Sequence, residues 1–222
     1  MPHSKLYVFD AYGTLFDVHS AVARHAGEIG PEAARLSDMW RTKQLEYTWV
    51  RSLSGRYRDF EALTQEALDY AAARCGGLSP ALRAKLLDAY AVLDAYPDAA
   101  ATLDALRARG ARTAILSNGT PAMLERAVES AGLASRLDAI LSVDPLKTYK
   151  TAPGAYELIE ARLGAAPAEV SFLSSNRWDI AGATAFGLRC IWVNRLGLPD
   201  EYGELAPAAV VGSLDGLLAL DA

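Results

Sequence analysis

The chain has 222 residues, 51% of them hydrophobic, and a net charge of −5, which allows a sizeable core and excludes a chain-wide basic surface for nucleic acid. The two cysteines, Cys75 and Cys190, lie far apart without metal-ligand spacing, so we interpret them as free thiols in a reducing compartment. The sequence shows no signal-peptide pattern and no apolar run of about 18 residues. We therefore expect a cytoplasmic protein that does not span a membrane.

Short apolar runs alternate with helical patterns along the chain. Their continuous apolarity favours strands that are buried on both faces of a parallel sheet. The predicted strands are Leu6–Phe9, Thr113–Leu116, Ala139–Val143, Val170–Leu173, Cys190–Val193, and Ala208 or Ala209 to Val211. Thr120 followed by Pro121 predicts a helix N-terminus, and Gly132 predicts its end. This alternation predicts an α/β fold with a Rossmann-like parallel sheet.

One interval, residues 17–95, contains no convincing strand. Its helical patterns lie near Val18–Ile29, Pro31–Leu53, Asp59–Cys75 and Pro80–Leu93. We therefore predict an inserted all-helical cap domain, residues 17–95, and a catalytic core formed by residues 1–16 and 96–222. Because the insert begins where the first strand ends, we expect the cap above the carboxyl edge of the sheet.

Several polar residues follow the predicted strands, at the edge where open parallel sheets bind ligands. They are Asp10 after the first strand, Ser117 and Asn118 after the second, Lys150 beyond the third, and Ser174, Ser175, Asn176 and Asp179 after the fourth. Taken singly, such residues commonly cap helices, stabilise turns or carry solvated charges. Their convergence on one edge instead predicts an active site.

The order Asp, Ser, Lys, Asp resembles the four motifs of the haloacid dehalogenase superfamily, and the sequence looks most like its L-2-haloacid dehalogenases. The resemblance covers nearly the whole chain and rests on FDAYGTLFDVHS, WRTKQLEYTWVRSLSGRYRDF, ILSNGTP, YKTAPGAYELIE and SSNRWDIAGA. Most of the superfamily are phosphatases that read D-x-D-G-T, protonate the leaving alcohol with the second Asp and hold magnesium. Here Tyr12 replaces that second Asp, and Ser175 replaces an acid of the last motif. A halide other than fluoride leaves without a proton, and a substrate without phosphate needs no divalent cation.

The resemblance therefore implies metal-independent hydrolysis of short L-2-haloalkanoic acids to D-2-hydroxy acids through an ester on Asp10. It implies that Asp179 activates the water, with Lys150 nearby. The other site residues that it implies are Thr14, Ser174 and Asn176 to orient the charges, Arg41 with Asn118 for the halide, Ser117 for the substrate carboxylate, Tyr156 to support the lysine, and Tyr12, Leu45, Phe60 and Trp178 as an apolar pocket. Lys147 competes for the lysine position, but the spacing from Lys150 to Pro153 and Tyr156 fits better.

The expected partners are a small 2-haloacid and its halide, with no nucleic acid, membrane, metal or cofactor, and the resemblance implies a homodimer. Two further enzymes of the superfamily remain as alternatives, a phosphatase and a phosphonoacetaldehyde-type hydrolase, the latter with Lys43 as a candidate for a Schiff base. A catalytically silent binding protein on the same fold is a third alternative.

Overall fold

The computed structural model describes residues 5–220 and contains a six-stranded sheet in the order β3-β2-β1-β4-β5-β6. All neighbouring strands are parallel, so every carboxyl end points to the same edge. The strands β1 to β6 are Leu6–Phe9, Arg112–Ser117, Ala139–Ser142, Val170–Ser174, Arg189–Val193 and Ala209–Val211. The α/β class and the parallel sheet are confirmed, and the predicted strands agree with the observed ones within one residue at each end.

Ten α-helices accompany the strands within residues 5–220. In chain order, α1 to α10 are Ser20–Ala23, Ala26–Ile29, Ala33–Leu53, Phe60–Arg74, Pro80–Tyr90, Ala99–Ala108, Pro121–Ser130, Pro153–Leu163, Arg177–Phe186 and Gly216–Leu220. Helices α1 to α5, here called the helical insert, all lie between β1 and β2, as predicted. Thr120 caps α7 by accepting a hydrogen bond from the Met123 N–H, which confirms the predicted helix start.

The chain leaves the sheet and returns to it through two adjacent segments. The Asp17 N–H donates to the Asp94 carbonyl at 2.8 Å, and the Tyr96 N–H donates to the Leu15 carbonyl at 2.9 Å. These backbone hydrogen bonds tie the beginning of the helical insert to its end. The insert is therefore anchored beside the turn that follows β1.

Helix α3 is the longest element of the insert, and it faces two partners. Leu36, Trp40, Gln44 and Thr48 recur every four residues on its buried face, which packs against α4. Arg41, Leu45 and Trp49 form the neighbouring strip. The Trp49 ring meets Trp178 of α9 edge to face at 5.7 Å, so this strip points toward the sheet edge.

Two details differ from the prediction. The helix expected near Val18–Ile29 is divided into two four-residue helices, α1 and α2. Between them, the Arg24 guanidinium donates to the Val92 carbonyl and contacts the Asp94 carboxylate, a tertiary contact that the helical pattern could not predict. In addition, β3 and β6 are only partly buried, because they form the two edges of the sheet.

No helix among residues 5–220 combines the length and hydropathy needed to cross a membrane.

Candidate active site

Asp10 lies directly after β1 at the carboxyl edge of the sheet and is 5% exposed. Its Oδ2 accepts hydrogen bonds from the Thr14 hydroxyl at 3.2 Å and from Nδ2 of Asn176 at 2.9 Å. Its Oδ1 accepts from Nζ of Lys150 at 3.0 Å. Donors on both oxygens therefore hold this carboxylate in one orientation.

The Lys150 ammonium lies between two carboxylates. Its Nζ is 3.0 Å from Oδ1 of Asp10 and 2.8 Å from Oδ2 of Asp179, and its side chain is fully buried. Burial disfavours the charged form, but attraction to Asp10 and Asp179 outweighs it and raises the pKa of Lys150 above its usual value. The lysine is therefore an ammonium at neutral pH, and it joins the end of β1 to the first turn of α9.

Asp179 lies in the first turn of α9 and is completely buried. Its Oδ1 accepts a hydrogen bond from the Tyr156 hydroxyl at 2.8 Å. Burial raises the pKa of Asp179 above its ordinary value; Lys150 opposes this rise and Asp10 adds to it. Burial and the neighbouring Asp179 raise the pKa of Tyr156 well above its ordinary value, so the hydroxyl keeps its proton. Tyr156, expected beside the lysine, thus reaches it through the Asp179 carboxylate.

Arg41 extends from α3 of the helical insert to the sheet edge. Its Nη2 donates to the Tyr12 carbonyl at 3.1 Å and to Oδ1 of Asn176 at 3.2 Å. Its Nη1 donates to Oε1 of Gln44 at 2.9 Å, one helical turn away. A solvated surface arginine would not make these contacts. The guanidinium is instead linked to Asp10 through Asn176.

Aromatic rings form a wall beside Asp10. The Tyr12 ring is 5.5 Å from the Phe60 ring and stacks on Tyr90 at 5.7 Å. Gly119 makes room for it, because a Cβ at that position would lie 2.9 Å from Cε2 of Tyr12. Tyr12 and Phe60 are thus brought together as predicted. Of the other two predicted pocket residues, Leu45 is half-buried on α3, and Trp178 is half-buried on α9 against Trp49.

The remaining predicted residues organise loops at the same edge. The Asn118 Oδ1 accepts from the Lys150 backbone N–H at 2.9 Å and so anchors the segment that carries the lysine. The buried hydroxyl oxygens of Ser117 and Ser174 accept from the N–H groups of Gly119 and Asn176, at 3.2 and 3.1 Å. Each of these side chains stabilises the turn that follows its strand.

Comparison with known proteins identifies the family. Residues 4–187 match the family model described as haloacid dehalogenase-like hydrolase. The chain is 53% identical over 211 residues to (S)-2-haloacid dehalogenase 1 of Pseudomonas sp. (strain CBS-3), covering 95% of this chain and 93% of that protein. It is 50% identical over 202 residues to (S)-2-haloacid dehalogenase 4A of Burkholderia cepacia, covering 90% and 87%. The chain belongs to the L-2-haloacid dehalogenases of the haloacid dehalogenase superfamily.

A solved structure of the same family supports this membership. It is the L-2-haloacid dehalogenase from Xanthobacter autotrophicus with chloropropionic acid covalently bound. This chain superposes on it with a TM-score of 0.91 at 39% identity, covering 99% of this chain and 98% of that one. The family resemblance inferred from the sequence motifs is therefore confirmed.

Two positions distinguish this L-2-haloacid dehalogenase from the D-x-D-G-T phosphatases of its superfamily. Tyr12 occupies the position of the second Asp, and burial raises its pKa well above the ordinary value, so it remains neutral. At the position of the acid in the last motif, the buried Ser175 hydroxyl has no hydrogen-bond partner within residues 5–220. In the same range, no three His, Cys, Asp or Glu side chains are grouped so that they could hold a metal ion.

The structure separates the two candidate lysines of this dehalogenase. Nζ of Lys147 lies 3.3 Å from Asp144, and its side chain is 61% exposed, whereas Lys150 is inside the site. Gln44 was not predicted as a site residue, but it is buried and contacts the Tyr90 hydroxyl at 3.0 Å as well as Arg41. Its position three residues after Arg41 on α3 is the signal that could have indicated this contact.

Proposed function

We propose that this protein hydrolyses short L-2-haloalkanoic acids to D-2-hydroxy acids through a covalent ester on Asp10, without a metal ion. The observation that carries the proposal is the buried Lys150 ammonium between Asp10 and Asp179, in a site where a phenol replaces the proton-donating acid. The names of the relatives indicate the same carbon–halogen chemistry. The protein is accordingly a hydrolase that acts on carbon–halide bonds.

In the first step, the Asp10 carboxylate attacks C2 of the haloacid from the side opposite the halogen. A carbon–oxygen bond forms while the carbon–halogen bond breaks, and its electron pair leaves with the halide. This displacement inverts C2 and leaves an ester on Asp10. Thr14, Asn176 and Lys150 hold the attacking carboxylate in place, which lowers the entropic cost of reaching the transition state.

In the first step, negative charge also develops on the departing halogen. Arg41 is the proposed partner for this charge, and its hydrogen bonds to Tyr12 and Asn176 fix the guanidinium beside the nucleophile. A guanidinium is weakly hydrated and cannot lose its proton, which suits a halide site lined by aromatic rings. Asn118, Leu45, Phe60 and Trp178 are proposed to complete the halide and alkyl pocket, and Ser117 to bind the substrate carboxylate.

In the second step, water attacks the carbonyl carbon of the Asp10 ester. Asp179 takes a proton from the water and returns it to the alkoxide oxygen as the ester bond breaks, which releases the 2-hydroxy acid. The second proton of the water leaves to solvent as Asp10 returns to a carboxylate. The hydroxyl oxygen of the product therefore comes from Asp10, and the oxygen of the water remains in the enzyme. Lys150 stabilises the negative charge that develops on the ester carbonyl oxygen. Tyr156 keeps the Asp179 carboxylate oriented throughout.

We further propose that residues 1–16 and 96–222 form the catalytic core and residues 17–95 the cap domain. The paired backbone contacts at Asp17–Asp94 and Leu15–Tyr96 support boundaries at these positions. The cap contributes Arg41, Leu45 and Phe60, so the site lies between the two parts.

A cytoplasmic location and a homodimer complete the proposal. Cys75 and Cys190 are free thiols, as expected in a reducing compartment. Val50 and Leu53, near the end of α3, are 55% and 90% exposed and offer apolar surface to a second copy. Light scattering on the purified protein measures the oligomeric state, and a mass of one chain would contradict the dimer.

The decisive experiment measures halide release from L- and D-2-chloropropionate, with and without EDTA, and determines the configuration of the product. We expect D-lactate from the L substrate, little turnover of the D substrate and full activity in EDTA. Equal rates on both enantiomers, or retention of configuration, would contradict direct displacement. Activity on phosphate esters that disappears with chelator and returns with magnesium would favour a phosphatase, and magnesium-dependent cleavage of phosphonoacetaldehyde would favour the other alternative.

A further inference from the structure

The backbone of Gly182, in the middle of α9, lies closer to Thr151 and Tyr156 than the backbone of a residue with a side chain could. A Cβ at this position would lie 2.6 Å from Cβ of Thr151, 2.7 Å from its Cγ2 and 2.7 Å from the hydroxyl oxygen of Tyr156. Contacts below 3.0 Å are essentially never made by real Cβ atoms. The packing of α9 against the residues that follow Lys150 therefore requires glycine.

The atoms that Gly182 approaches are fixed. Cβ of Thr151 is attached directly to the backbone of the residue after Lys150, so rotation of the side chain cannot move it away. The Tyr156 ring is fully buried, and its hydroxyl is held by Oδ1 of Asp179 at 2.8 Å. An added methyl group would have to push α9 away from the Lys150–Thr151 segment or displace the Tyr156 hydroxyl.

Either displacement would change the contact between the catalytic groups. Helix α9 carries Asp179 three residues before Gly182, and the facing segment carries Lys150. Their side chains meet at 2.8 Å from Nζ to Oδ2. We propose that Gly182 is a positioning residue for the hydrolytic step, because its missing Cβ sets the distance between Asp179 and Lys150. This inference rests on the proposed function.

The two chemical steps depend on this distance to different degrees. Displacement uses Asp10, which Thr14 and Asn176 also hold from the other oxygen. Hydrolysis uses Asp179, whose carboxylate is held by Lys150 and Tyr156. Gly182 approaches Tyr156 itself and the residue next to Lys150. If α9 and the segment that carries Lys150 move slightly apart, the breakdown of the ester should slow more than its formation.

The test substitutes Gly182→Ala and follows halide release and enzyme mass with L-2-chloropropionate. A misplacement of about 1 Å costs on the order of 10²-fold in rate, so we expect kcat to fall by about that factor. We also expect one equivalent of halide to be released rapidly and the enzyme to accumulate as the ester, visible by mass spectrometry. Gly154→Ala is the matched control, because the nearest atom to a Cβ there is 3.9 Å away; it should keep the wild-type kcat and form no lasting ester.

Two results would overturn the inference. One is a wild-type kcat in Gly182→Ala; the other is an equal loss of both steps without accumulated ester. Should this variant fail to fold, Gly182→Ala with Thr151→Gly takes its place, since it removes the two Thr151 atoms nearest to the added Cβ and keeps the overlap with the Tyr156 hydroxyl. The ester should still accumulate there, and its absence would equally refute the inference. Failure of the proposed function is distinguishable, because the wild-type protein would then release no halide.

Discussion

Replacing Lys150 by methionine removes the ammonium between Asp10 and Asp179 and keeps a side chain of similar length. The lysine side chain is fully buried, and its partners are 7% and 0% exposed, so water cannot compensate for the lost charge. Removing one partner of such a buried cluster costs about 3–5 kcal/mol in the free energy of unfolding. For a chain of this length, that loss corresponds to a fall in Tm of about 6–20 °C.

The loss of stability in Lys150→Met should depend on pH. Burial already raises the pKa of Asp179, and removing Lys150, which opposes this rise, raises it further. A carboxyl whose pKa is higher in the folded than in the unfolded protein is penalised in its ionised form. The penalty is complete above the folded pKa and disappears as the pH falls toward the unfolded value of about 3.9. The difference in stability from the wild type should therefore be smaller at pH 5 than at pH 8.

Urea denaturation at both pH values measures this difference. Lys147→Met is the control, because the Lys147 side chain is 61% exposed. Substitutions at the surface usually change the free energy of unfolding by no more than about 0.5 kcal/mol. Adding Asp179→Asn to Lys150→Met removes one of the two carboxylates and should restore part of the stability. A loss below about 1 kcal/mol at pH 8, or a loss that does not vary with pH, would refute the role assigned to the buried charges.

Four further substitutions test the proposed roles. Arg41→Lys should lower kcat on 2-chloropropionate by about 10²-fold, because a charge-stabilising donor is lost; a wild-type kcat would contradict the halide role. Asp10→Asn should abolish halide release, whereas Asp179→Asn should release one equivalent and accumulate the ester, and normal turnover by Asp10→Asn would rule out the covalent route. Tyr156→Phe leaves Asp179 with one donor fewer and should lower stability by about 1–3 kcal/mol in urea denaturation; an unchanged midpoint would show that the hydroxyl contributes nothing.

Much of the sheet could be predicted because buried parallel strands have a local signature. The run Leu6–Phe9 is apolar at every position and is buried on both faces, so composition alone marks its ends. The division of α1 from α2 was not predicted in this way, because the helical pattern continues through Arg24 and His25, where the structure ends one helix and begins the next.

The same distinction holds at the site. The motif order indicated Asp10, Lys150 and Asp179, since each follows a strand, and the spacing to Pro153 favoured Lys150 over Lys147. The contact of Tyr156 with Asp179 was not predicted, because it depends on how α8 packs against α9. The requirement for Gly182 depends on the same packing, since the sequence alone does not show which atoms would meet a Cβ.

The most direct test of the covalent route is a single turnover in H₂¹⁸O with enzyme in excess over L-2-chloropropionate. If water attacks the ester carbonyl, one oxygen of the Asp10 carboxylate becomes the hydroxyl of the product and is replaced from the solvent. We predict ¹⁸O in the peptide that contains Asp10 and unlabelled lactate from the first turnover. Label in the lactate hydroxyl, with an unlabelled Asp10 peptide, would mean that water attacks C2 directly and would contradict the account.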